Sequence, residues 1–327
     1  MNSVRPFSDE QLRTLINLRQ RYEAWIEAER GLFAMPYDLR RKTVAGKDYL
    51  YEIVDRRGNG KSLGRWNDEL EAKFEAYHAD KVEAKTQRDG AKPVLQESSR
   101  LYRALRLPLL SSDAGPILRE ADTRNLLGSH LLIVGTNAMV AYSIEAAGQI
   151  LGAPDETEDF DLAWAARKAD EASETVWQML KAVDPTFTVN TERNFQARNS
   201  KAYEVELLVA PSLVATMSRN DKPRPVPLPE QEWLLLGKAV DQVVGCRDGT
   251  PARIVAPDPR WFALHKLWMS EKENRNPLKR PKDRKQGIAL LNVVKETMPQ
   301  YPLNQAFVES IPEALIGYYN RWESGSL

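Results

Sequence analysis

A single cysteine, Cys246, stands among the 327 residues, so no disulfide can form within the chain. That fits a reducing compartment and argues against a disulfide-framed secreted module. No stretch approaches the ~20 consecutive apolar residues of a membrane span. The opening segment, MNSVRPFSDEQLRTL, holds no apolar run of signal-peptide length. A soluble, cytoplasmic protein without membrane association is therefore expected. Charge of one sign is lacking too: 46 Lys and Arg balance 46 Asp and Glu. A globally basic nucleic-acid binder is not indicated, which leaves local patches as the route to a polyanion. Internal repeats and low-complexity segments are absent as well.

What is present reads as an α+β chain: a mixed central sheet, a helical N-terminal region with a small inserted β-hairpin, and C-terminal helices. Residues 8–33 carry Leu12, Leu15, Ile16, Leu18, Tyr22, Trp25 and Ile26 near helical spacing, and Ser8 with Gln11 has the pattern of a capping box. Residues 47–64 predict a hairpin, with Tyr49, Tyr51 and Ile53 alternating and Gly58-Asn59-Gly60 as the turn. A charged helix is expected over 66–90 and two shorter ones over 93–127. The pattern changes at His130. Residues 130–135, HLLIVG, read as a buried strand, Asn137 to Ile150 as a helix, 159–165 as a strand and 169–183 as an amphipathic helix. Strands follow at 186–190, 195–199, 203–210, 239–245 and 251–256, then helices over 259–275, 283–298 and 312–323. The expected division is 1–127, a mostly helical region with the hairpin; 128–257, a catalytic core; and 258–327, a helical region.

The chemistry concentrates in Thr157-Glu158-Asp159-Phe160-Asp161-Leu162. Residues two apart in a strand share a face, so Asp159 and Asp161 lie side by side, and their repulsion favours a cation between them. Hard carboxylate oxygens suit Mg²⁺, or Mn²⁺, bridging to substrate phosphates. Upstream, Val134-Gly135-Thr136-Asn137 sits at a strand-to-helix junction. Glycine lets backbone approach a ligand, and a helix start offers free N–H groups to a phosphate; the plainer reading is a tight turn with a helix cap. Downstream, YEVELLVA over 203–210 offers a third carboxylate. Glu206 directly precedes the apolar Leu207-Leu208-Val209 and is preferred, while Glu204 shares its face and stays open. Such a trio can hold two metals.

The order of strand, Gly-Thr, helix, T-x-D-x-D-L strand and later acid resembles the nucleotidyltransferase fold of the polymerase-beta superfamily. The wide interval from Gly135 to Asp159 resembles the bacterial AbiEii-like and MenT-like nucleotidyltransferase toxins. Lys61-Ser62-Leu63-Gly64 is similar to a stretch in a further bacterial group with this fold. The motif-bearing resemblance covers about 128–290. It implies a Mg²⁺-dependent transfer of a nucleoside monophosphate from an NTP to an acceptor hydroxyl. Asp159, Asp161 and Glu206 would be the catalytic and metal-binding acids. Gly135, Thr136, Asn137, Lys266 and Lys282 would bind nucleotide, with Asp283 orienting the phosphates or capping a helix. The family's usual third acid is aspartate, so glutamate here changes the reach. The resemblance also implies an RNA or tRNA 3′ end as acceptor, a toxin or phage-defence setting and an antitoxin or other protein partner. A protein hydroxyl as acceptor, and a nucleotide- or nucleic-acid-binding module without turnover, are the alternatives. His265 is read as a core or surface histidine. The hairpin's Arg40, Arg41, Lys42, Lys47, Arg56, Arg57 and Lys61, with Tyr49 and Tyr51, offer a surface that could track a nucleic-acid backbone.

Overall fold

The computed structural model describes residues 3–154, 159–167, 175–217 and 222–327. Thr157, Glu158 and the start of the helix expected over 169–183 lie outside them. The chain opens with a short strand β1 (Val4–Pro6) and the long helix α1 (Asp9–Ala34). Ser8 and Gln11 form the expected reciprocal capping box. The expected hairpin gains a strand: β2 (Asp38–Val44), β3 (Lys47–Ile53) and β4 (Gly60–Arg65) make an antiparallel sheet. The added turn is Ala45-Gly46, with both φ values positive, the geometry that closes two-residue hairpin loops.

One helix, α2 (Asp68–Ala104), replaces the two elements expected around Pro93. Proline inside a helix removes one hydrogen bond and costs ~3 kcal/mol. Here Pro93 and Asp89, whose carbonyl loses its donor, are both exposed. Beyond Pro93 the burial of Leu95 and Tyr102 against Leu18, Tyr22 and Ile26 of α1 holds the helix in line. The same small core takes in Val243.

Strand β5 (Leu109–Leu110) and α3 (Ala114–Thr123) lead into the central sheet. Its order is β6 (Leu131–Val134), β8 (Asp159–Trp164), β11 (Glu204–Val209), β10 (Gln196–Arg198) and β9 (Thr188–Val189). Strand β12 (Val226–Pro227) pairs with β11 beyond the end of β10. Between them lie α4 (Ala138–Glu145), β7 (Gly148–Ile150) and α5 (Thr175–Val183). The helix expected to reach Ile150 thus stops at Glu145. Ala147 turns the chain with φ +51°, and β7 pairs with β1. A Cβ on Gly148 would meet Val4 Cγ1 at 2.2 Å, so glycine is what admits the pairing. A second sheet, β14 (Ala252–Ala256), β13 (Val240–Cys246) and β5, packs against α3 and α4. Helices α6 (Pro259–Glu271), α7 (Arg280–Thr297), α8 (Gln305–Ser310) and α9 (Glu313–Glu323) complete the chain. One apolar core runs from Val4 through both sheets to Trp322. Among the described residues no helix is long and apolar enough to cross a membrane.

Candidate active site

The site is built on two parallel strands. β8 and β11 pair with Asp159 opposite Glu204 and Asp161 opposite Glu206. Both strands alternate in the same phase: Phe160 and Val205 are buried, while the acids are half-buried on the other face. Strand pairing therefore brings Asp161 and Glu206 together although 45 residues of sequence separate them. The two glutamates differ in their partners. Glu204 is ion-paired with Arg198 of β10. Glu206 accepts a 2.5 Å hydrogen bond from Gln196 Nε2 and lines a cavity together with Asp161.

Gly135 follows β6 directly, and its φ of +68° is left-handed. A Cβ there would stand 2.0 Å from Asp161 Oδ2 and 2.9 Å from its Cγ. The carboxylate of Asp161 thus occupies the space that any other residue at 135 would fill. Asn137 does not cap α4 with its side chain; its Nδ2 donates to the Asp159 carbonyl at 2.9 Å. It ties the helix start to the acid-bearing strand. Thr136 is buried, and its hydroxyl receives a long 3.4 Å contact from Gln286 Nε2. Gly135, Thr136 and Asn137 are thus brought against the two aspartates, with the side chains of Thr136 and Asn137 turned to protein partners.

Helices α6 and α7 supply the cations. Lys266 is buried and its Nζ donates to Asp283 Oδ1 at 2.9 Å. Arg275 Nε donates to the other oxygen at 2.8 Å. Lys279, in the linker before α7, donates to Asp159 Oδ2 at 2.8 Å. Lys282 sits half-exposed in the first turn of α7; burial first, then the Lys266 ammonium, pull its amine below the ordinary value. A positive cluster faces a negative one. Burial, and after it the Glu206 carboxylate, push the Asp161 carboxyl up to about 7, with Asp159 adding to the rise and Lys266 and Lys279 opposing it.

Gly135, Asp161, Glu206, His265, Lys266 and Arg275 share the wall of a cavity of about 250 Å³. Its wall also carries the apolar Leu208, Val226 and Leu234 and the polar Glu230 and Gln231. Sequence reading did not single out Lys279, Gln196, Arg275 or Gln231. Only Lys279 had a signal: it stands in the basic run 279–285. Gln196 and Arg198 alternate, which would have placed both on the acids' face had the pairing of β10 been known.

Residues 112–312 match the nucleotidyltransferase family, well over half of the chain. The chain belongs to that family. No curated protein and no solved structure matches it. The nucleotidyltransferase assignment makes the protein a transferase of phosphorus-containing groups that uses an NTP. The matched span includes β6, β8, β11, α6 and α7, so every acid and cation described above falls inside it.

The donor set of this nucleotidyltransferase can be weighed for a divalent ion. Among the described residues no three acids, histidines or cysteines already close as a ligand cage. The chemistry of the donors nevertheless fits. Asp159, Asp161 and Glu206 are hard oxygen donors on one sheet face. Burial first, and then the Glu206 carboxylate, raise the Asp161 carboxyl, and a cation beside the pair would favour its charged form. The Lys279 ammonium on Asp159 is a cation standing where one is electrostatically favoured.

Proposed function

We propose that the protein transfers a nucleoside monophosphate from an NTP to an acceptor hydroxyl, with Asp159, Asp161 and Glu206 holding Mg²⁺ or Mn²⁺. The observation that carries this reading is the register of β8 and β11, which sets Glu206 opposite Asp161 over the side-chain-free Gly135. The bound ion supplies charge neutralisation for the triphosphate and the attacking and leaving oxygens. The chain's own groups do the rest. Lys266 and Arg275, held by Asp283 in the wall beside Asp161, and Lys282, whose amine lies near the Lys266 ammonium, would neutralise the departing pyrophosphate. Lys279 exchanges Asp159 for a phosphate when nucleotide and metal arrive. Glu206, steadied by Gln196, orients the acceptor hydroxyl and takes its proton. Asn137 and Gly135 hold the strand and carboxylate in place, so positioning and fixed charge carry the rate.

The acceptor in this reading is an RNA 3′ end such as that of tRNA, in a toxin or phage-defence setting like that of the AbiEii-like and MenT-like proteins. Support comes from the basic, aromatic N-terminal sheet, where Lys42 stacks over Tyr51 and Arg41 over Trp66. Incubation with each α-labelled NTP, total tRNA and Mg²⁺ tests it: label should appear on RNA in a gel. Label on protein instead would move the acceptor to a protein hydroxyl. Nucleotide binding with no label anywhere would leave a binding module.

A further inference from the structure

Lys266 and Arg275 spend their charge on Asp283, but Lys279 spends its own on one of the acids proposed to hold the ion. Its Nζ donates to Asp159 Oδ2 at 2.8 Å. That bond, against the opposing effect of burial, raises the Lys279 amine above its ordinary value. The backbone on both sides of the contact is braced. Lys279 N–H donates to the Asn276 carbonyl at 2.9 Å, and the Lys279 carbonyl accepts from Asp283 N–H at 3.0 Å as α7 opens. Arg280 Nη2 donates to the carbonyls of Lys272 and Glu273 at 2.9 and 2.7 Å, which ties the start of α7 back to the end of α6. Across the contact, Asn137 Nδ2 holds the Asp159 carbonyl. What is left to move is a lysine side chain with 49% exposure on a carboxylate with 31%.

A pair this exposed is weak enough to exchange. It is also an obstacle, because an ammonium in contact with a carboxylate offsets the charge that draws a divalent ion and repels the ion itself. We infer that Lys279 is a resident counter-ion that keeps a divalent ion from settling on Asp159 until a triphosphate draws the ammonium away. Other cations stand ready to share that triphosphate. Lys282 lies three residues on, a neighbour on the surface of α7, and it feels the Lys279 charge. Lys279 in turn feels the Arg275 guanidinium. The phosphate oxygens bring the ion ligands of their own, while the departure of Lys279 restores the full charge of Asp159. Ion and triphosphate therefore favour each other's binding, by the same factor in both directions, and an ion by itself binds poorly. This regulation rests on the metal and NTP reading of the same site.

Two ligands measured separately test it: Mn²⁺ alone, followed by the electron paramagnetic resonance of the free ion, and tripolyphosphate in EDTA, followed by calorimetry. Lys279→Met should bind Mn²⁺ roughly five- to tenfold more tightly than wild type, because a competing positive charge is gone, and tripolyphosphate more weakly by a similar factor. Lys279→Arg keeps the charge and should stay near wild type for both. A residue that merely supports the loop would lower both affinities together. In wild type, acetylation of Lys279 read by mass spectrometry should quicken on adding Mn²⁺ and slow on adding tripolyphosphate, a readout that needs no variant. Unchanged or weaker Mn²⁺ binding by Lys279→Met overturns the inference, as does an acetylation rate that Mn²⁺ leaves unaltered. If neither ligand binds wild type or Lys279→Met, the metal and NTP reading fails and this one with it. If both ligands bind wild type and Lys279→Met shifts neither, only the counter-ion role fails.

Discussion

The contact between Gly135 and Asp161 is the tightest statement that single residues make about this site. Glycine at 135 serves both a left-handed turn and a carboxylate lying where its side chain would be. Gly135→Ala should cost about 1–3 kcal/mol through the backbone conformation alone. The larger effect should fall on activity, because Asp161 must swing away from its partner Glu206. Urea unfolding and labelled transfer, measured together, check this; full activity in Gly135→Ala would contradict it. His265 is held neutral by its burial. Its folded value of about 3 lies below the ordinary 6.5, so between those pH values the unfolded chain binds more protons. The stability it permits is complete above about pH 6.5 and is lost as pH falls toward 3. Between pH 7 and 4, wild type should lose on the order of 2–3 kcal/mol more than His265→Leu. Equal acid sensitivity would show that His265 is not held neutral. Much of this was legible in advance. Asp159 and Asp161 share one face because side chains alternate along a strand, and that needs only local sequence, whereas Glu206 joins them only through the pairing of β8 with β11. The Lys279 bond to Asp159 was not legible, because it spans 120 residues and depends on where α7 docks.

Among the elements, the α6–α7 hairpin does most to frame the site. The two helices approach at Gly287, where a Cβ would stand 2.7 Å from Leu267 Cγ and 2.9 Å from the Ala263 carbonyl oxygen. Alanine favours a helix over glycine by about 1 kcal/mol, whereas overpacking a fitted contact costs about 1–3 kcal/mol. The clash includes backbone, so the second effect wins. Gly287→Ala should lower stability by up to about 2 kcal/mol in chemical unfolding and weaken nucleotide binding through the displaced Lys266–Asp283 pair. A stabilised variant would contradict this. These helices were legible from apolar periodicity, within a few residues. Helix α4 was not: Gly148 stands just past its end at Glu145, but the strand that follows pairs with β1 from the far N-terminus, which local sequence does not show. The run through Pro93 was hidden for a similar reason, since burial on α1 outweighs a local breaker.

For the molecule as a whole, a buried carboxylate ties the N-terminal helices to the second sheet. Asp122 of α3, with no exposure, accepts from Tyr22 Oη at 2.9 Å and pairs with Arg30 of α1 and Arg253 of β14. Breaking a buried pair costs ~3–5 kcal/mol. Arg30 and Arg253 keep 30% and 26% side-chain exposure, so Asp122→Ala should fall at the low end, about 3 kcal/mol, read as a lowered unfolding midpoint. A loss below about 0.5 kcal/mol, as at ordinary surface sites, would show that the helices are held by apolar contact alone. Glu204 and Glu206 lie on the same face, two residues apart, but only Glu206 faces Asp161. The decisive measurement is Mg²⁺-dependent pyrophosphate release from NTP with acceptor RNA, compared across wild type, Asp161→Asn, Glu206→Gln and Glu204→Gln. Asp161→Asn and Glu206→Gln should lose at least about a hundredfold in rate, as when a group stabilising the transition state is removed, while Glu204→Gln stays near wild type. Undiminished release by Asp161→Asn and Glu206→Gln would contradict the account.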